Sequence, residues 1–128
     1  MSQLMFIIYV ANQERSSNFY AEILDTKPIL HVPGMTEFKL SEGALLGIMP
    51  DKGIGRILGD AVTDPVKGRG IPRCELYLPV ADVPEAVKTL LRAGGEVVQD
   101  PQIMDWGDLV AYCMDPDGHI IAFAGSAF

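Results

Sequence analysis

The chain has 128 residues, of which 48% are hydrophobic, enough to bury the core of one domain. Its net charge of −7 and the lack of a long Lys/Arg run remove the basic footprint of a nucleic-acid binder. No apolar run reaches the roughly 18 residues a membrane helix needs.

Residues 1–10 lack a basic leader and a small-residue cleavage site, so they read as a first strand and the protein as cytoplasmic. Ser16, Phe19, Tyr20, Ile23 and Leu24 then recur at helical spacing, with Asn12 placed to cap a helix over 13–24. Alternating segments predict strands near 27–32, 35–40 and 44–49. A Gly- and Pro-rich stretch follows, mostly loop, with a short helical turn at 54–58. The second half predicts a strand near 73–80, a helix over 83–93 and strands near 96–103, 108–114 and 119–125. Asp82 and Glu85 have capping-box spacing, and Gly94-Gly95 supplies the helix stop. Cys74 and Cys113 have no metal-type spacing and read as two buried, reduced thiols.

The two halves repeat one another. Val10-Ala11-Asn12 lies over Val80-Ala81-Asp82, and Ser41-Glu42-Gly43 over Pro116-Asp117-Gly118. The offset grows from 70 to 75, so the second copy carries about five extra residues, which fit around residues 100–105. The expected fold is α+β, with two tandem βαβββ modules forming a curved mixed sheet with a concave cavity. Module 1 covers about 1–50, a linker about 51–72 and module 2 about 73–128. One helix covers only one face of its sheet, so the cavity on the other face is the default binding site.

Several motifs in this order carry a resemblance. They are Ser16-x-x-Phe19-Tyr20-x-x-Ile23-Leu24, Leu78-x-Val80-x-Asp82, Trp106-Gly107 and Tyr112-x-x-Asp115-Pro116-Asp117-Gly118. Together the chain resembles the vicinal oxygen chelate superfamily of glyoxalases, bleomycin-resistance proteins and extradiol dioxygenases. That resemblance implies a homodimer. It also implies a divalent metal held by His, Gln or Glu on the first and last strands of each module.

The matching positions here are Met5, Gly47, Glu75 and Ala122, of which only Glu75 offers a hard donor. The expectation is therefore no metal and no cofactor at that place, a divalent metal being the alternative. His119 lies in the Asp-Pro-Asp-Gly-His turn and, like His31, is not expected to be a ligand. What remains is a proposed pocket of Met5, Tyr9, Gly47, Glu75, Tyr77, Trp106, Tyr112 and Ala122. Gly47 and Ala122 would make room for a bulky group, and Arg73 could partner Glu75. The pocket suits a small aromatic or cationic molecule, bound in the manner of bleomycin-resistance proteins. The second hypothesis is a lyase, isomerase or dioxygenase relative in which Glu75 is the catalytic base and Tyr112 the acid. The third is a paralogue whose pocket is filled by its own side chains.

Overall fold

The computed structural model describes residues 3–127. Met1 and Ser2, at the start of the first expected strand, and Phe128, at the end of module 2, lie outside the described residues. In chain order the elements are β1 (Leu4–Val10), α1 (Gln13–Leu24), β2 (Leu30–Val32), β3 (Met35–Ser41) and β4 (Ala44–Pro50). The helix α2 (Asp51–Leu58) and two short 3-10 turns follow. Then come β5 (Glu75–Pro79), α3 (Val83–Ala93), β6 (Glu96–Ile103), β7 (Asp108–Met114) and β8 (Ile120–Ser126). The chain divides into two compact units, with the boundary between Arg69 and Gly70.

Each unit builds its own four-stranded mixed sheet, ordered β1-β4-β3-β2 in the first and β5-β8-β7-β6 in the second. Thus the fold is α+β with two βαβββ modules, and the strand pairing ends with each unit rather than running through one sheet. In both, the first strand runs parallel to the last and the remaining pairs are antiparallel. The repeat survives at residue level: Ile7 pairs with Gly47 in the first unit as Tyr77 pairs with Ala122 in the second.

The five extra residues of the second unit lie in the β6–β7 hairpin, where the sequence alignment puts them near 100–105. Gln102 pairs with Val110 where Val32 pairs with Met35, so seven residues intervene in place of two. The offset of 75 is complete by β7, where Tyr112 pairs with Ala122 as Glu37 pairs with Gly47.

Helix ends follow local chemistry. The Arg15 N–H donates to Asn12 Oδ1 at 2.9 Å, and the Glu85 N–H donates to Asp82 Oδ1 at 3.1 Å. Gly94 adopts the left-handed conformation that stops α3. The linker holds more helix than the expected single turn. Pro50 ends the strand, Asp51 complements the helix dipole, and Ile54 is buried. Asp51 is also bonded to Arg69, which ties the linker's far end to the first unit.

Alternation decides the two faces of each sheet. In the first unit Val10, Thr36, Phe38, Leu46 and Ile48 are buried. Hydrogen bonds from Gln13 and Ser17 to Thr36 Oγ1 place that face under α1. Phe19 and Tyr20 of α1 are buried too, their rings edge to face at 5.0 Å. Each such side chain contributes about 1.5–3 kcal/mol on burial. In the second unit Cys113, Ile121 and Phe123 share the face of α3, whose Val83 lies against Gly125. Met5, Tyr9, Gly47, Glu75, Tyr77, Tyr112 and Ala122 stand on the opposite faces, and Trp106 lies in the turn between β6 and β7. No described helix is long and apolar enough to cross a membrane.

Candidate functional site

In the first unit the face away from α1 carries three cross-strand rows. Met5 stands beside Leu45, Ile7 beside Gly47 and Glu37, and Tyr9 beside Met49. The space that Gly47 was expected to free is taken. A Cβ built there would lie 2.9 Å from Ile7 Cγ1, 3.0 Å from Met5 Sδ and 3.3 Å from Met35 Sδ. Methionine is unbranched and fills irregular gaps of this kind. Tyr9 is on the same face and partly exposed.

In the second unit Tyr77, Ala122 and Tyr112 form one row across β5, β8 and β7. The indole N–H of Trp106 donates to the Tyr77 oxygen at 2.9 Å, and the Tyr77 hydroxyl donates to Asp108 Oδ2 at 2.7 Å. Strands β5 and β7 are two spacings apart, roughly 9.6 Å. To reach Asp108 the Tyr77 ring must lean across β8, and the small side chains of Ala122 and Ala124 permit it. Tyr112 and Met104 pack against the same alanines. Consequently Ala122 is 0% exposed, and the room expected above it is also filled by the unit's own side chains.

What the filling leaves is a surface of ordered aromatics. Trp106 is 59% exposed and Tyr77 39% exposed. Trp106 sits in a tight turn closed by the Gly107 N–H donating to Met104 O at 2.8 Å. Gly107 takes a φ of 97°, which an L side chain resists. The Trp106 bond favours the Tyr77 phenolate, but the bond to Asp108 and its negative charge prevail and hold the phenol above its usual range. Tyr77 therefore stays neutral and serves as a donor at neutral pH.

Glu75 pairs with Ile120 one row away and is exposed rather than enclosed in an apolar cavity. Among the described residues no ion pair joins it to Arg73. Both cysteines are free thiols, but the expected burial holds for only one: Cys113 is buried, whereas Cys74 is exposed, because it precedes β5 instead of facing a helix. Burial, with a smaller push from the charge of Asp100, raises the Cys113 thiol to about 11.

The two histidines have structural partners. His119 Nδ1 lies 2.7 Å from Asp115 Oδ2, and the same carboxylate accepts the His119 and Asp117 N–H groups at 2.9 Å each. His31 bridges Thr36 Oγ1 at 2.8 Å and Glu14 Oε2 at 3.1 Å. Among the described residues no three His, Cys, Asp or Glu side chains come together as a metal-holding group. The residues at the superfamily's metal positions do not fit such an ion. Met5 and Gly47 present sulfur and no donor, Ala122 presents none, and Glu75 stands alone.

Sequence reasoning missed two residues. Asp108, which fixes Tyr77, was read only as the start of a strand. Glu37 shares the row of Gly47 and is half-buried. Its alternation with Thr36 and Phe38 on β3 was the available signal.

Two βαβββ units of identical strand order, each with one face left to a candidate site, define the class, which is the vicinal oxygen chelate superfamily. The chain belongs to the glyoxalase-like domain family, whose model matches residues 4–127. A glyoxalase-related enzyme from Fulvimarina pelagi is 25% identical, covering 98% of this chain and 89% of that one, with a TM-score of 0.82. A glyoxalase/bleomycin resistance protein/dioxygenase family enzyme from Burkholderia phytofirmans PsJN is 14% identical over 94% of this chain and 95% of its own, with a TM-score of 0.81. A glyoxalase/bleomycin resistance protein from Catenulispora acidiphila is 21% identical over 96% of each chain, with a TM-score of 0.64. No curated protein matches the sequence.

Proposed function

We propose that this glyoxalase-like protein binds and sequesters a small aromatic or cationic molecule without using a metal. The observation that carries the proposal is the Trp106–Tyr77–Asp108 chain. Its hydrogen bonds hold two aromatic rings in place before any ligand arrives, which lowers the ordering cost of binding. Both rings keep exposed surface, and the Asp108 carboxylate is bonded to the Tyr77 hydroxyl. An organic cation gains from the ring faces and from that negative charge together. The filled space over Gly47 and Ala122 favours a surface platform over a deep pit. Cytoplasmic location and a homodimer belong to the same proposal.

Titration with benzyltrimethylammonium tests it, read by the fluorescence of the single tryptophan and by calorimetry. Saturable quenching is expected, weakened by Tyr77→Phe and absent with the neutral neopentylbenzene. Equal response to the neutral compound would remove the cationic part of the proposal. Stoichiometric Ni, Zn, Mn or Fe in protein purified without chelator would overturn its metal-independent part.

A further inference from the structure

We infer that the first unit carries an organic-cation site anchored by Glu37. Glu37 stands on β3, an interior strand, on the face away from α1. Its row neighbours are Gly47 on β4 and Leu30 on β2, and beyond Gly47 lies Ile7. A carboxylate in such an apolar row is stabilised by a positive partner.

Among the described residues none supplies that partner. Lys39, two residues along on the same face, donates instead to Glu42 at 2.6 Å. His31 belongs to the other face, between Thr36 and Glu14. Among the described residues Glu37 has neither an ion pair nor a side-chain hydrogen bond. Every buried side-chain nitrogen or oxygen among the described residues has a partner, so the unpartnered carboxylate of Glu37 keeps access to solvent. An incoming ligand can therefore reach it.

The floor beside Glu37 is deformable. Gly47 contributes no side chain, and the thioethers of Met5 and Met35 cover it. These unbranched chains can shift to admit an apolar group where a branched residue would resist. The chemistry that fits is an ammonium ion carrying a compact apolar or aromatic body. The cation would meet Glu37 and the body would displace the two thioethers. This site stands on the first unit alone and survives the failure of the second-unit platform.

The test is methyl NMR of protein labelled at methionine, with signals assigned through Met5→Leu and Met35→Leu. The probes are benzylammonium, neutral benzyl alcohol and anionic benzoate. Benzylammonium is expected to shift the Met5 and Met35 methyls saturably, and the other two are not. Glu37→Gln should weaken the response about tenfold or more, which corresponds to about 1.4 kcal/mol. Glu22→Gln on α1 removes the same charge from the same unit and should leave the response intact. Glu37→Asp keeps the charge and should retain part of it. Comparable shifts with benzyl alcohol, an unaffected Glu37→Gln, or equal losses in the Asp and Gln variants would overturn the inference. So would no response to benzylammonium, or a change of sedimented mass in Glu37→Gln, which would assign the missing cation to a second copy. Loss of the Trp106 response with the methionine response kept would sink the platform and leave this site standing.

Discussion

Replacing Gly47 by Ala asks directly whether the space at the centre of the first unit's sheet is open or filled. The added methyl would sit 2.9 Å from Ile7 Cγ1, 3.0 Å from Met5 Sδ and 3.3 Å from Met35 Sδ. Optimal carbon contacts lie at about 3.5–4.0 Å, so the overlap is several tenths of an ångström at three atoms. The methionine tails can move aside, but Ile7 is β-branched and stiff at χ1. Overpacking of this kind costs about 1–3 kcal/mol. Gly47 does not require positive φ, so Ala recovers about 0.4–1 kcal/mol by restricting the unfolded chain. The net expectation is a loss of about 0.5–2 kcal/mol, or a melting temperature lower by about 2–8 °C. Urea unfolding followed by circular dichroism measures it. A variant as stable as the wild type would show that the space over Gly47 is empty, and the filled-face account would fail. Met5→Ala in the same background should recover part of the loss, because it removes one of the three clashing groups.

Four further outcomes are expected. A thiol reagent should modify Cys74 alone in the native protein and both cysteines in denaturant, as mass spectrometry would show; native labelling of Cys113 would contradict its burial. The folded Cys113 thiol titrates near 11 against 9.0 for an ordinary one, so between those values only the unfolded state loses its proton. Stability should then fall as pH rises through that window, by about 2–3 kcal/mol in all, with the full contribution present below 9; a Cys113→Ala variant with the same pH slope as wild type would refute this. Asp108→Asn should lower the titration of Tyr77 by ultraviolet absorbance, because the charge and acceptor that hold the proton are weakened; an unchanged titration would separate Tyr77 from Asp108. Arg69→Ala should destabilise by about 1–3 kcal/mol, since it strands a carboxylate whose side chain is only 8% exposed; unaltered unfolding would show that the pair does not fasten the linker.

The order of elements was legible in the residues themselves. Helical spacing in Phe19, Tyr20, Ile23 and Leu24, the caps at Asn12 and Asp82, and the Gly94 stop are local signals. Local signals fix local conformation. The duplication was equally plain, and the pairing of Ile7 with Gly47 and Tyr77 with Ala122 reproduces it. Even the absence of hard donors at Met5, Gly47 and Ala122 needed only their identities.

What occupies a vacated position is a different kind of question, and the tertiary structure alone answered it. Gly47 and Ala122 look like openings in the sequence because a small residue displays only the volume it lacks. The atoms that fill that volume come from Met35 on another strand and from Tyr77, leaning across β8 to Asp108. Such contacts are diagonal or two strands removed, so no spacing along the chain encodes them. Glu37 was overlooked for the same reason: its isolation depends on Lys39, on the same face, turning to Glu42. The sequence determined which groups each sheet face presents, and packing decided which of them remain available.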